Sequence, residues 1–217
     1  NRSYWPAARQ EGKLHFLTIH GHIAKQTRAD HGRRPGPRSG DRRTMHCGGS
    51  QRCHPLSFEQ GWRRIEEVDG AFWQKVIDVN VTPMMWVTRA AGPELIKAGQ
   101  GSIVNLSSLA GRKGGHAGSL VYSTAKGAVL TWTRALAREL ACKGIRVNAV
   151  APGLILGTRF HAEHTSQEVV KATIGAIPLG RAGNVWDIAR PVVFLASEYD
   201  GFITGATIDI NGGVYCA

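Results

Sequence analysis

Apolar residues recur at helical spacing in "AFWQKVIDVNVTPMMWVTRAAGPELIKAG" (71–99): Phe72, Val76 and Val79, then Met84, Val87 and Ala91. That period predicts a helix. Pro83 has no N–H to offer the carbonyl of Val79, so the helix should kink beside Asn80. "SIVNLSS" (102–108) is short, apolar and β-branched, the pattern of a buried strand. "SLVYSTAKGAVLTWTRALARELACKG" (119–144) predicts a long helix stopping at Gly144. "IRVNAVA" (145–151) predicts a second buried strand, ended by Pro152-Gly153. "NVWDIARPVVFLAS" (184–197) predicts a helix capped by Asn184, and "ATIDIN" (206–211) a last strand. Strands alternating with helices predict an α/β domain: a doubly wound parallel sheet, with near-continuous apolar strands because both faces are covered.

Residues 1–64 break this pattern. They contain no valine, and "GRRPGPRSGDRRTMHCGGSQRC" (32–53) has almost nothing to bury. Only "KLHFLTI" (13–19) reads as a strand. The expected division is an irregular basic segment over 1–64 and a folded α/β part over 65–217.

Charge follows the same division. The chain carries a net +11 over 217 residues, but 13 Lys/Arg against 4 Asp/Glu lie in 1–64. The remainder is nearly balanced, so the basic character belongs to one end. No aromatic residues interleave the arginines, which makes nucleic acid a poor partner. No apolar run is long enough to span a bilayer, so the cytoplasm is the expected location. Cys47, Cys53, Cys142 and Cys216 are scattered and read as free thiols. Their spacing gives no zinc site, and no metal is expected.

The candidate chemistry lies in "YSTAK", Tyr122 to Lys126. Four residues turn an α-helix by about 400°, which puts the phenol and the ammonium on one face. A nearby cation lowers a phenol's pKa, so the pair could form a tuned acid/base. Ser108 lies at the C-terminal end of its strand, where open α/β sheets bind ligands.

"VNLSSLAG", "YSTAKGAV", "IRVNAVAPG" and "GFITGATIDINGG" stand in the order of the short-chain dehydrogenase/reductase family, which residues 66–217 resemble. The nearest type is 3-oxoacyl-acyl-carrier-protein reductase or polyol dehydrogenase. The resemblance implies a single Rossmann-like domain, with 1–64 as a degenerate dinucleotide-binding half and 65–217 as the catalytic part, and reversible reduction of a small-molecule carbonyl with NAD or NADP as cofactor. It implies Tyr122 as acid/base, Lys126 as its tuner and ribose anchor, Ser108 as the donor to the substrate oxygen, and Asn80 as support for a proton relay. It implies cofactor contacts from Asn80, Tyr122, Lys126, Pro152, Gly153, Ile155 and Thr158. It also implies a homodimer or homotetramer paired through 71–98 and 119–143, and a lid over 157–178 carrying His161 and His164.

The chain departs from the family in three places. The step from Ser108 to Tyr122 is 14 residues, one longer than usual, within the glycine-rich "GRKGGHAGS". Ile19 stands where the first glycine of the phosphate-binding turn belongs. The 62 residues from Thr18 to Asn80 are too few for three βαβ steps of about 30 residues each. A truncated, scrambled or frame-shifted segment joined near residue 60 would account for both, and resequencing the coding region tests it. The competing expectation is a silent scaffold that keeps the tetrad but cannot hold a dinucleotide.

Overall fold

The computed structural model describes residues 16–19, 25–26, 62–157, 167–197 and 201–217. Five strands form one sheet in the order β2-β1-β3-β4-β5. They are β1 (Phe16–Ile19), β2 (Lys25–Gln26), β3 (Gly101–Leu106), β4 (Ile145–Pro152) and β5 (Thr207–Ile210). β1, β3, β4 and β5 run parallel, and β2 is antiparallel to β1. The expected parallel sheet is therefore present.

Alternation along β3 and β4 sorts side chains to two cores. Ile103, Ile145 and Val147 face one layer, where they meet Met84, Leu95, Val129 and Leu136. Val104 and Val150 face the other, where they meet Leu195 and Ala196. Successive strand side chains point to opposite faces, so both faces are apolar and both are covered.

The predicted kinked helix is two helices, α1 (Gly70–Asn80) and α2 (Thr82–Ala98), broken at Val81. Pro83 falls in the first turn of α2, where a missing N–H is tolerated. The Asp69 side chain caps α1 by accepting from Phe72 N at 2.6 Å. A short helix that the apolar pattern did not signal, α3 (Leu109–Lys113), follows Ser108 and runs into the glycine-rich stretch. α4 (Leu120–Leu140) is followed by a 3-10 turn, then by Gly144 at φ 74°. α5 is Gln167–Gly175 and α6 is Val185–Ala196. Asn184 caps α6 through its side chain to Trp186 N and Asp187 N, as expected. Arg146 on β4 closes the other end, donating to Leu195 O at 3.0 Å and Ser197 O at 2.8 Å.

Val76 on α1 packs against Val121 and Ala125 on α4. This cluster sets α1 beside the first two turns of α4, the turns that carry Tyr122 and Lys126.

Candidate active site

β3 ends at Leu106, and the chain crosses to α3 through two serines. Ser107 extends the ladder by donating its N–H to Val150 O at 2.8 Å. Its hydroxyl donates to Lys126 O at 2.8 Å, which ties the strand end to α4. Ser108 is extended, at φ −160° and ψ 155°, and caps α3 by accepting from Ala110 N at 3.2 Å. α3 and α4 cross closely at Gly111, where an added Cβ would lie 2.6 Å from the carbonyl carbon of Lys126.

The Ser108 side chain stands close enough to the Tyr122 phenol to favour its ionised form. Lys126 is buried, at 7% exposure, and its Nζ donates to Leu106 O at 3.2 Å. That Nζ lies 5.8 Å from the centre of the Tyr122 ring. The structure thus brings Ser108, Tyr122 and Lys126 together at the carboxyl end of β3. Asn80 ends α1 one turn beyond Val76, on the face toward α4, and its Nδ2 donates to Val76 O at 3.0 Å.

The phenol's pKa moves opposite to the expectation. Burial raises it above the ordinary value of 10, and the neighbouring Ser108 side chain offsets only part of that. Desolvation disfavours the charged phenolate and outweighs what favours it. Tyr122 is therefore held as the protonated acid. Burial likewise pulls Lys126 down from 10.5 to about 8.

This displacement makes stability depend on pH. Between about pH 8 and 10.5 the unfolded chain still holds the lysine proton and the folded chain has released it. Unfolding free energy should rise with pH across that window, by at most ~3 kcal/mol at ~1.4 kcal/mol per unit. The raised Tyr122 pKa acts the other way above pH 10, where the unfolded phenol ionises first. Urea midpoints for the chain and for Lys126→Met should converge from pH 8 to 10. A constant gap would contradict the buried cation.

Leu106 pairs with Val150, and Pro152 with Ile210, so Pro152-Gly153 lies at the same edge of the sheet as Ser108. Gly153 donates to Ile210 O at 2.9 Å, and an added Cβ there would come within 3.1 Å of Asn211. Ile155 is buried and bridges to Gly183. Thr158, His161 and His164 lie outside the described residues, as do Cys47 and Cys53; Cys142 and Cys216 are exposed free thiols. Among the described residues there is no metal-ligating cluster and no helix long and apolar enough to cross a membrane.

Three features of the site were not legible beforehand. Arg112 on α3 grips Asp209 on β5 with paired bonds of 3.1 and 2.8 Å and lies 5.3 Å from the centre of the Tyr215 ring. Gly111 makes the close crossing of α3 and α4. Trp62, assigned by composition to the irregular segment, meets the Tyr122 ring edge-on at 5.8 Å. An isolated tryptophan at the edge of a valine-free stretch was the only signal.

A family model described as Enoyl-(Acyl carrier protein) reductase matches residues 56–215. (3R)-3-hydroxyacyl-CoA dehydrogenase from Canis lupus familiaris is 41% identical over 164 residues, 75% of this chain and 61% of that protein. Acetoacetyl-CoA reductase from Rhizobium meliloti is 45% identical, over 67% of this chain and 59% of that protein. The chain spans about three fifths of the length of the curated relatives it matches. The crystal structure of 3-oxoacyl-[acyl-carrier protein] reductase from Brucella melitensis superposes with a TM-score of 0.67 at 35% identity, covering 71% of this chain and 57% of that one. ElxO, solved with NADPH bound, gives 0.65 at 33% identity, covering 70% and 61%. With the parallel sheet, the order of its motifs and these likenesses in agreement, the chain belongs to the short-chain dehydrogenase/reductase family.

Proposed function

We propose that this chain interconverts a carbonyl and a secondary alcohol, working in the reducing direction with a nicotinamide dinucleotide. The observation that carries this is Lys126. A buried ammonium has three donors, and its one hydrogen bond among the described residues goes to Leu106 O. No carboxylate among those residues pairs with it. A buried cation with donors to spare fits a ligand rich in hydroxyls, such as a ribose.

A bound dinucleotide supplies the hydride that reaches the carbonyl carbon. Tyr122 gives its phenolic proton to the carbonyl oxygen, a role that its raised pKa suits. Ser108 accepts from Ala110 N, which leaves its own proton for Tyr122 or for a substrate oxygen beside it. Lys126 and Tyr122 would hold the nicotinamide ribose. Pro152, Gly153, Ile155 and Thr158 would hold the nicotinamide end, with Asn80 supporting a proton path from the lysine. The relatives named for acyl-CoA and acyl-carrier-protein thioesters make 3-oxoacyl compounds the first substrates to try. Exposed Trp73 on α1 and Trp86 on α2 support pairing of these helices with a second copy.

One observation favours the silent-scaffold reading. Ile19 pairs with Asn105 as part of β1, where the family has the first glycine of its phosphate-binding turn. Titration with NADH and NADPH separately, followed by nicotinamide fluorescence, decides between the two. We expect saturable binding of one, weakened about tenfold or more in Lys126→Met by loss of charged hydrogen bonds. A folded chain that binds neither is a scaffold.

A further inference from the structure

β5 places one charge between two isoleucines. Ile208 and Ile210 pack on the core that holds Val104, Val150 and Leu195. Strand side chains alternate, so Asp209 points to the opposite face, the one that α4 covers. There it meets Arg112 of α3. Arg112 Nε donates to Asp209 Oδ1 at 3.1 Å and Nη2 donates to Oδ2 at 2.8 Å. Two parallel bonds from a planar fork fix direction as well as distance. Each side chain is 17% exposed, so the pair is largely shielded from water. The guanidinium also lies 5.3 Å from the centre of the Tyr215 ring, within cation–π range. Tyr215 is itself held by Asn211, which accepts from Tyr215 N at 3.3 Å and donates to Tyr215 O at 3.0 Å. Arg112 is therefore seated on β5 and on the turn that follows it.

α3 is a little over one turn long, too short to keep a direction by its own hydrogen bonds. Its contacts set that direction. Gly111 lies against the main chain of α4, and Leu109 lies beside Gly153, where an added Cβ would stand 3.6 Å from Leu109 Cδ2. Arg112 is gripped by β5. Ser108 is the N-cap of this helix, and its hydroxyl oxygen accepts from Ala110 N at 3.2 Å. Arg112 follows Ser108 by four residues, so the two lie one turn apart on one side. A rotation of α3 at Arg112 is therefore a rotation of the Ser108 hydroxyl.

We propose that Arg112 is a positioning residue: its fork on Asp209 fixes the rotation of α3 and, through it, the direction of the Ser108 hydroxyl beside Tyr122. The catalytic half of this inference rests on the function proposed above; the placement of Ser108 does not. A shielded ion pair adds little net stability, because taking its charges out of water offsets their attraction. What a fork between distant elements supplies is geometry, and Ser108 is the group at the other end of the helix it holds.

Arg112→Gln in the full chain, alone and combined with Ser108→Ala, tests this by two readouts. Where the single variant fails to fold, Arg112→Gln with Asp209→Asn removes both charges and leaves no unpaired carboxylate. The first readout is kinetic. Arg112→Gln should lower kcat for 3-oxoacyl thioester reduction about tenfold, part of the hundredfold or more that loss of one positioned donor costs. Nucleotide affinity, followed by nicotinamide fluorescence, should stay within about threefold, since Lys126 is untouched. In Ser108→Ala the same substitution should cost nothing further, because the group it positions is gone. A full further loss in that background overturns the positioning role, since general loosening would add to it. The second readout needs no turnover: ionisation of the phenol is followed by tyrosinate absorbance, with Tyr122→Phe as the subtracted blank. Ser108 favours the ionised phenol, so Ser108→Ala should raise the midpoint, and Arg112→Gln should raise it in the same direction. A parent-like midpoint in folded Arg112→Gln, or in Ser108→Ala, overturns the proposal. If the parent reduces no carbonyl, the proposed function fails, and the phenol titration still decides whether Arg112 places Ser108.

Discussion

Tyr122→Phe is expected to lower kcat for carbonyl reduction by about a thousandfold, within the range a positioned general acid supplies. KM for the nicotinamide nucleotide should change by less than about threefold, because Lys126 and the main chain at the edge of the sheet remain. The substitution removes one oxygen and keeps the ring that meets Trp62. Stability should move by only about 1 kcal/mol, the worth of one hydrogen bond. Steady-state rates and urea midpoints on one preparation separate the two effects. Because burial raises the phenol's pKa, the acid form persists throughout the neutral range. Ionisation of Tyr122 should therefore not limit the reduction rate near pH 7, and the loss on ionisation should come only above the ordinary tyrosine value. A variant within tenfold of the parent would remove Tyr122 from the proton transfer.

Gly111→Ala is expected to cost about 3 kcal/mol and most of the activity. Its Cβ would lie 2.6, 2.7 and 2.8 Å from the Lys126 carbonyl carbon, the Lys126 oxygen and Gly127 N. All three are main-chain atoms of α4, so no side chain can rotate aside, and α3 must move as a unit. Ser108 caps α3, so that movement carries the Ser108 hydroxyl away from Tyr122. Gly127→Ala, on the opposite side of the same crossing, is the control. Its nearest neighbour would be Gly111 O at 3.7 Å, an ordinary contact. Replacing a mid-helix glycine by alanine should stabilise by up to about 1 kcal/mol. Thermal or urea unfolding of the two variants should move in opposite directions; equal shifts would mean that the helices do not cross as described.

The helices and strands after residue 65 were legible because their signals are local. The break between α1 and α2 follows from one missing N–H at Pro83. The shared face of Tyr122 and Lys126 follows from 3.6 residues per turn. The end of the 3-10 turn that follows α4 comes from a glycine able to take positive φ. The short helix α3 was missed because Ser108, rather than the glycines after it, governs the start of that turn by accepting from Ala110 N. Of the expected cofactor residues, Pro152 and Gly153 reach the expected edge of the sheet, and Ile155 is a buried bridge beside it.

What the chain determined alone was the type of each element and which residues share a face, since both depend on neighbours within a few positions. Tertiary structure decided the rest. Arg112 and Asp209 meet across 97 residues, and no periodicity relates them. Trp62 reaches Tyr122 because a main-chain bond to Gly118 brings two distant turns together. The phenol's pKa rises rather than falls because desolvation sums over every element packed around it. Contacts and dielectric are properties of the assembled surroundings, so they exist only once α1, α3, α4 and the sheet have closed on one another.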